Sequence, residues 1–121
     1  MKLLWVVMLA NTLLFLSARE AQSGQSGFET GNSLLYKCST LQSDDTYYAE
    51  INFCLGYVAG VADTSSCAST VNGFAWNMPN HVTIGQLSKI VTKWLELHPE
   101  FLHNSANSLI GRALQDAFPC P

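Results

Sequence analysis

Apolar residues recur at three- and four-residue steps along the last third of the chain, which is the spacing of one face of an α-helix. After position 83 they are Leu87, Ile90, Val91, Trp94 and Leu95. After position 99 they are Leu102, Ala106, Leu109, Ile110, Ala113, Leu114 and Ala117. Polar residues occupy most of the positions between them. The pattern predicts two successive amphipathic helices, each with one face in a core.

Local signals set the ends of these two helices. Thr83 followed by Gln86 is a capping box, so the first helix should begin at Thr83. Pro99 disfavours helical backbone at His98 but suits the first turn of a new helix. One helix therefore ends near His98, a second follows it, and Pro119 ends the second.

Two more helices are predicted upstream. Asn32 can cap a short helix that carries its apolar residues on one face, namely Leu34, Leu35, Cys38 and Leu41. A longer helix over about 46–63 should bury Tyr47, Ile51, Cys54, Leu55, Val58 and Ala62. Gly56 and Gly60 lie four residues apart in it, and this spacing predicts the close approach of a neighbouring helix.

No helical period runs through residues 64–81, where Ser, Thr, Asn, Gly and Pro are frequent. A loop of this length in a compact domain is usually functional or disordered, and the presence of Cys67, Phe74, Trp76 and Met78 favours order. The predicted fold class is all-α. It is a small four-helix bundle-like domain with a long loop between the second and third main helices.

The amino terminus has the layout of a secretory signal peptide, with Lys2 followed by an apolar run over 3–16. The run is shorter than the roughly 20 residues of a membrane-spanning helix. Cleavage can follow Ala18 or Ser23. We therefore predict a signal peptide over 1–23, a flexible Gly/Ser/Gln-rich leader over 24–30 and a helical domain over 31–121, with no membrane contact after cleavage.

Four cysteines lie beyond the predicted signal: Cys38, Cys54, Cys67 and Cys120. An even count in a small exported chain predicts two disulfides. A metal site is a weaker interpretation, because no pair has CxxC spacing and no histidine stands at ligand distance in sequence. Of the three possible pairings we favour Cys54 with Cys67 and Cys38 with Cys120, although sequence alone does not decide the connectivity.

The net charge is -3, and acidic side chains outnumber basic ones beyond the signal. Without a basic patch, nucleic acid is a poor partner, whereas a basic protein surface or cleft is a better one. His98, Glu100 and His103 lack the four-residue separation that places two histidines on one helical face. We also find no nucleophile elbow and no phosphate-binding glycine loop. The sequence predicts no enzyme, metal or cofactor.

The order of several motifs resembles the Rap/Tai family of immunity proteins. These motifs are Gly31-Asn32 with Leu34-Leu35 and Cys38, the stretch Cys54-Leu55-Gly56-Tyr57-Val58-Ala59-Gly60-Val61-Ala62-Asp63, Val82-Thr83-Ile84-Gly85-Gln86-Leu87, His98-Pro99-Glu100 and Ala117-Phe118-Pro119-Cys120. Together they span nearly all of the chain beyond the signal, in the same order. This makes the resemblance far more specific than any single motif.

The resemblance implies a small periplasmic helical protein that binds and blocks a peptidoglycan amidase delivered by type VI secretion. The implied target is a papain-like cysteine amidase. The resemblance further implies a homodimer in which a surface loop and a neighbouring helix occlude the enzyme's cleft, which protects the producer and its kin.

On this basis the loop from Cys67 to His81 should enter or cover the amidase groove. The predicted partner contacts in the loop are Trp76, Asn77, Met78, Asn80 and His81, while Asp63 or Glu96 should meet basic residues around the cleft. For Trp76, packing back onto its own domain is an equally weighted alternative. A small periplasmic helical chaperone or stress protein is the alternative function.

Overall fold

The computed structural model describes residues 27–70 and 72–121. Over these ranges the chain forms four α-helices and no β-strand: α1 (Gly31–Ser39), α2 (Tyr47–Ala62), α3 (Ile84–Leu97) and α4 (Ala106–Ala117), with a 3-10 turn at Pro99–Phe101. The predicted all-α class is confirmed, and so is the long loop between α2 and α3. The predicted signal peptide and residues 24–26 of the predicted leader lie outside the described residues.

The start of α3 agrees with the capping box read from the sequence. The Gln86 amide donates to Thr83 Oγ1 (3.2 Å), and the Thr83 amide donates to Gln86 Oε1 (2.7 Å). Both side chains thereby satisfy amide donors that lack partners within the first helical turn.

The second helix of the pair begins later than Pro99 suggests, because another segment uses the backbone groups after the 3-10 turn. The Asn32 amide donates to Leu102 O (2.8 Å), the Gly31 amide donates to Asn104 O (3.0 Å), and the Ala106 amide donates to Glu29 O (2.8 Å). The carbonyl groups of Leu102 and Asn104 therefore accept hydrogen bonds from α1 instead of from amides one turn further along a helix. The helix α4 therefore starts only at Ala106.

The cap of α1 is Thr30 and not Asn32 as predicted, since Thr30 Oγ1 accepts the Ser33 amide (3.2 Å). Glu29, immediately before it, is only 8% exposed. Its carboxylate accepts a hydrogen bond from Lys37 Nζ at 2.8 Å. Burial of the Tyr57 phenol raises its pKa, and the negative charge of the Glu29 carboxylate raises it further. Glu29 and Thr30 thus belong to the packed structure.

The core lies where all four helices and the long loop meet. Its fully buried large side chains are Trp76, Leu34, Leu95, Leu109, Ile110, Leu114, Val58, Val91 and Cys54. Most of them lie at the helical spacings that the sequence pattern marks as one face. None of the described helices is long and apolar enough to cross a membrane.

The favoured disulfide pairing is wrong. Cys38 on α1 bonds to Cys54 on α2, and Cys67 in the long loop bonds to Cys120. Cys54 is fully buried where α2 packs against α1, so it is out of reach of the exposed loop. Cys67 instead meets the chain's end, because the Asn77 amide donates to Phe118 O (2.8 Å) and holds the loop against that segment.

The close helix approach predicted at Gly56 and Gly60 is also wrong. A Cβ atom added at either glycine has no neighbouring atom within 4 Å among the described residues. Phe53, on the same side of α2, is 43% exposed. The small residues therefore shape an outer face of α2 and do not serve packing within the domain.

Gly31 is where the fold requires a glycine. A Cβ added there would lie 2.9 Å from Leu102 O and 3.0 Å from Leu102 Cα, and it would collide with Leu109 Cδ1. The Leu102 backbone accepts a hydrogen bond from the Asn32 amide, so it cannot easily move away from an added methyl group. We expect Gly31→Ala to lower the free energy of unfolding by about 1–3 kcal/mol, as measured by urea denaturation.

Gly85→Ala is the matched control for that change. The added methyl group meets only Thr83 Oγ1, at 3.9 Å, in the first turn of α3, and alanine is favoured over glycine in helices by up to about 1 kcal/mol. Equal urea midpoints for the two variants would show that the contact between Gly31 and Leu102 does not constrain the fold.

Candidate partner-binding surface

Trp76 anchors the long loop between α2 and α3. Its side chain is 1% exposed, and its indole Nε1 donates to Ala62 O (3.2 Å) at the end of α2. The predicted direct contact between Trp76 and a partner does not fit this geometry. A Trp side chain has a large apolar surface, and here that surface is buried inside the domain.

Three attachments to the carboxyl-terminal segment hold the loop on both sides of Trp76. The disulfide joins Cys67 to Cys120. The Ala75 amide donates to Gln115 Oε1 (3.2 Å), and the Asn77 amide donates to Phe118 O (2.8 Å). The loop is therefore ordered by contacts at several points along its length.

The first half of the loop closes on itself. Ser65 Oγ donates to Ser69 O (2.6 Å), and Ser66 and Ser69 exchange backbone hydrogen bonds. Asn72 and Gly73 then adopt left-handed backbone, with φ of 52° and 81°, which reverses the chain before Phe74. This half presents small polar side chains.

The second half carries most of the predicted contact residues. Asn77, Asn80 and His81 are exposed, whereas Met78 is half-buried against the core. His81 has φ of 69°, a left-handed conformation that costs free energy in a residue other than glycine. Three of the predicted contacts thus lie together on one short, constrained stretch.

The two predicted acidic contacts lie apart from each other. Asp63 directly follows α2 and opens the loop, and its side chain is exposed. Glu96 lies on α3 and lines a separate depression, together with Lys89 and Lys93 of α3 and with Ile51 and Leu55 of α2. The structure places Asp63 with the loop and Glu96 with a lysine-bearing groove.

An aromatic groove beside the loop was missed by the sequence reasoning. It is lined by Phe74, Trp94, His98, Phe101, Arg112, Gln115 and Asp116. The Trp94 and His98 rings stack with centroids 4.0 Å apart, and Phe101 lies nearly parallel to both. The sequence did contain a signal for this groove. Trp94, His98 and Phe101 are separated by four and then three residues, a spacing that places side chains on the same side of a helix.

The histidines considered for metal or acid–base chemistry have other surroundings. His98 stacks on Trp94, and its Nδ1 lies 2.7 Å from Trp94 O. Glu100 and His103 are exposed. Within the described ranges, no group of three or more His, Cys, Asp or Glu side chains is placed to hold a metal ion.

The fold and this surface define a small, disulfide-bonded helical protein that presents a long ordered loop. The family model of the Rap1a immunity proteins matches residues 30–120, and the chain belongs to this family of immunity proteins. The match begins at the cap of α1 and ends at Cys120, so it includes the loop and all four cysteines. No curated protein matches the sequence.

Proposed function

We propose that this protein is a periplasmic immunity protein that binds a peptidoglycan amidase effector delivered by type VI secretion. It covers the active-site cleft of the effector and so protects the producing cell and its kin. Membership of the Rap1a immunity family supports the class. The observation that carries the mechanism is the long loop, which is fastened to the core and to the chain's end while Asn77, Asn80 and His81 stay exposed.

The proposed inhibition is steric. The loop enters or covers the groove of a papain-like cysteine amidase, so that the wall peptide no longer reaches the nucleophile. A loop that is ordered before binding loses little conformational freedom when the complex forms, which favours affinity. Asn77 and Asn80 supply amide donors and acceptors, His81 adds a ring, and Asp63 faces basic residues around the cleft. The protein acts by binding and performs no catalysis.

Export and self-association complete the proposal. Residues 1–23 act as the signal peptide, and two disulfides suit the oxidising periplasm. For the homodimer, the outer face of α2 is the best-supported surface, because Phe53 is exposed there beside Gly56 and Gly60, where a second helix can approach closely. Glu96 remains a proposed contact of the helical part.

The test is periplasmic co-expression with a panel of type VI amidase effectors, scoring rescue from lysis and co-purification. We expect wild-type protein to rescue cells from one effector class. Asn80→Arg should weaken binding at least about tenfold, because a bulky charge on the loop then meets the cleft. Asp45→Arg places the same side chain at an exposed site between α1 and α2 and should leave rescue intact.

Two results would overturn parts of this proposal. Failure of folded, oxidised wild-type protein to protect against any effector would exclude the amidase target, and binding of many unfolded clients would then favour a chaperone. Full rescue by Asn80→Arg would show that the loop is not the blocking element.

A further inference from the structure

We propose that the aromatic groove defined by Phe74, Trp94, His98, Phe101 and Arg112 is a second docking site, which binds an acidic segment of a protein partner. In this site Arg112 pairs with a carboxylate of the segment, and the rings contact the apolar side chain next to it. The assignment of this segment to the effector rests on the proposed function, whereas the chemistry of the groove does not.

Three aromatic rings form a stacked cluster at the surface. Trp94, His98 and Phe101 lie within 16–21° of parallel to one another, and all three are half-buried. Trp94 is fixed further because its Nε1 donates to Asp116 Oδ2 (2.8 Å). Aromatic and arginine side chains held in place in this way are enriched among the residues that contribute most to protein interfaces.

Arg112 is positioned between two rings. Its guanidinium carbon lies 4.8 Å from the Phe101 centroid and 5.8 Å from the Phe74 centroid. A guanidinium placed over an aromatic ring can keep the N–H groups at its edge available for hydrogen bonds. Within the described ranges, the one ion pair joins Lys37 to Glu29. No carboxylate in these ranges lies within salt-bridge distance of Arg112.

The guanidinium of Arg112 favours an occupant that carries a carboxylate, although the groove also contains the carboxylate of Asp116. The carboxylate that lines the groove, Asp116, accepts the Trp94 indole N–H and forms no salt bridge with Arg112. A planar guanidinium with available N–H edges matches a carboxylate, which it can bind through two parallel hydrogen bonds. Because the surrounding rings are apolar, such a pair would be partly shielded from water and hence stronger than one on an open surface.

The groove is also connected to the loop. Phe74 is a loop residue, and it packs on α4 at Gly111, where an added Cβ would lie 3.1 Å from the Phe74 ring. The next residue, Ala75, donates its amide to Gln115, which lines the same groove. The groove is therefore complete only when the loop is seated, and a partner that contacts the loop can reach both.

The test uses the isotope-labelled protein and two capped dipeptide probes, acetyl-Asp-Phe-amide and acetyl-Asn-Phe-amide. Titration with the aspartate probe should shift the Trp94 indole N–H resonance saturably, and the buried Trp76 indole serves as the internal control. The asparagine probe should bind at least about fivefold more weakly. Arg112→Gln should abolish this difference between the probes, and Arg112→Lys, which keeps the charge but not the planar fork, should reduce it.

A second arm separates this inference from the proposed function. If wild-type protein binds an effector, Arg112→Gln should weaken that complex about tenfold under conditions in which urea unfolding shows the variant to be folded. Equal affinity would remove the groove from the effector interface and leave the proposed function standing. If no effector binds, the proposed function fails and the peptide titration alone decides the groove. An absent Trp94 shift, or equal shifts with both probes, would overturn the carboxylate site.

Discussion

Replacing Trp76 with alanine is expected to lower the free energy of unfolding by about 3–5 kcal/mol, the range for truncating a large buried aromatic residue. The side chain is 1% exposed and lies in the core formed by all four helices. Its removal leaves a large cavity and frees Ala62 O from the indole hydrogen bond. Urea denaturation followed by far-UV circular dichroism measures the change.

Trp76→Phe separates the two contributions of this residue. The phenyl ring keeps most of the apolar contact but donates no hydrogen bond, so we expect a loss of about 1–2 kcal/mol. Trp94→Ala is the control for removing an indole from a half-buried site, and it should cost less than Trp76→Ala. Similar losses at Trp76 and Trp94 would contradict the anchoring role of Trp76.

The Trp76→Ala change should also weaken partner binding, although Trp76 itself does not reach the surface. Losing the anchor increases the freedom of the loop, and a partner must then order the loop on binding. The affinity of Trp76→Ala protein for the partner should be lower than that of the wild type even under conditions well below the unfolding transition of the variant, where it is folded. If binding stayed unchanged in folded Trp76→Ala protein, loop order would not matter for recognition.

Replacing both Cys67 and Cys120 with serine is the second change with a large expected effect. This disulfide closes a sequence separation of 53 residues, and its loss should destabilise the protein by about 4 kcal/mol in the chain-entropy model. The shorter closure between Cys38 and Cys54 spans 16 residues, which corresponds to about 3 kcal/mol. Equilibrium unfolding of the two double-serine variants compares them.

The two variants should differ more clearly in the loop than in stability. Without the bond from Cys67 to Cys120, the first half of the loop keeps its internal hydrogen bonds and one long hydrogen bond to α4, from Asn72 Nδ2 to Ser108 Oγ (3.5 Å), while Trp76 still holds the second half. Amide hydrogen exchange should therefore rise over residues 65–70 in this variant, and less so without the bond from Cys38 to Cys54. Equal exchange in both would argue that the disulfide adds no order to the loop.

The four helices follow from the sequence because their signals are local. The capping box at Thr83, the apolar steps along α3 and α4, and the stop at Pro119 each act within a few residues. The start of α4 was harder to predict. Local sequence permits helix directly after Pro99, but the distant segment around Glu29 and Gly31 takes the hydrogen bonds of residues 102–106.

The candidate surface was predictable only in part. The length and composition of the loop, with its aromatic residues and cysteine, indicated an ordered functional segment, and Asn77, Asn80 and His81 are indeed exposed on it. The side to which Trp76 points depends on whether the core has room for an indole, and no local pattern encodes this. The aromatic groove likewise joins residues of the loop, α3, the 3-10 turn and α4, which come together only in the folded chain.

By itself, the sequence determined the helical class, the position of the long loop and the motifs that resemble an immunity family, because periodicity, caps and motif order are properties of neighbouring residues. Tertiary structure alone decided the disulfide partners, the burial of Trp76 and the outward face at Gly56 and Gly60. Each of these depends on distances between segments far apart in the chain, and packing of the complete core sets those distances.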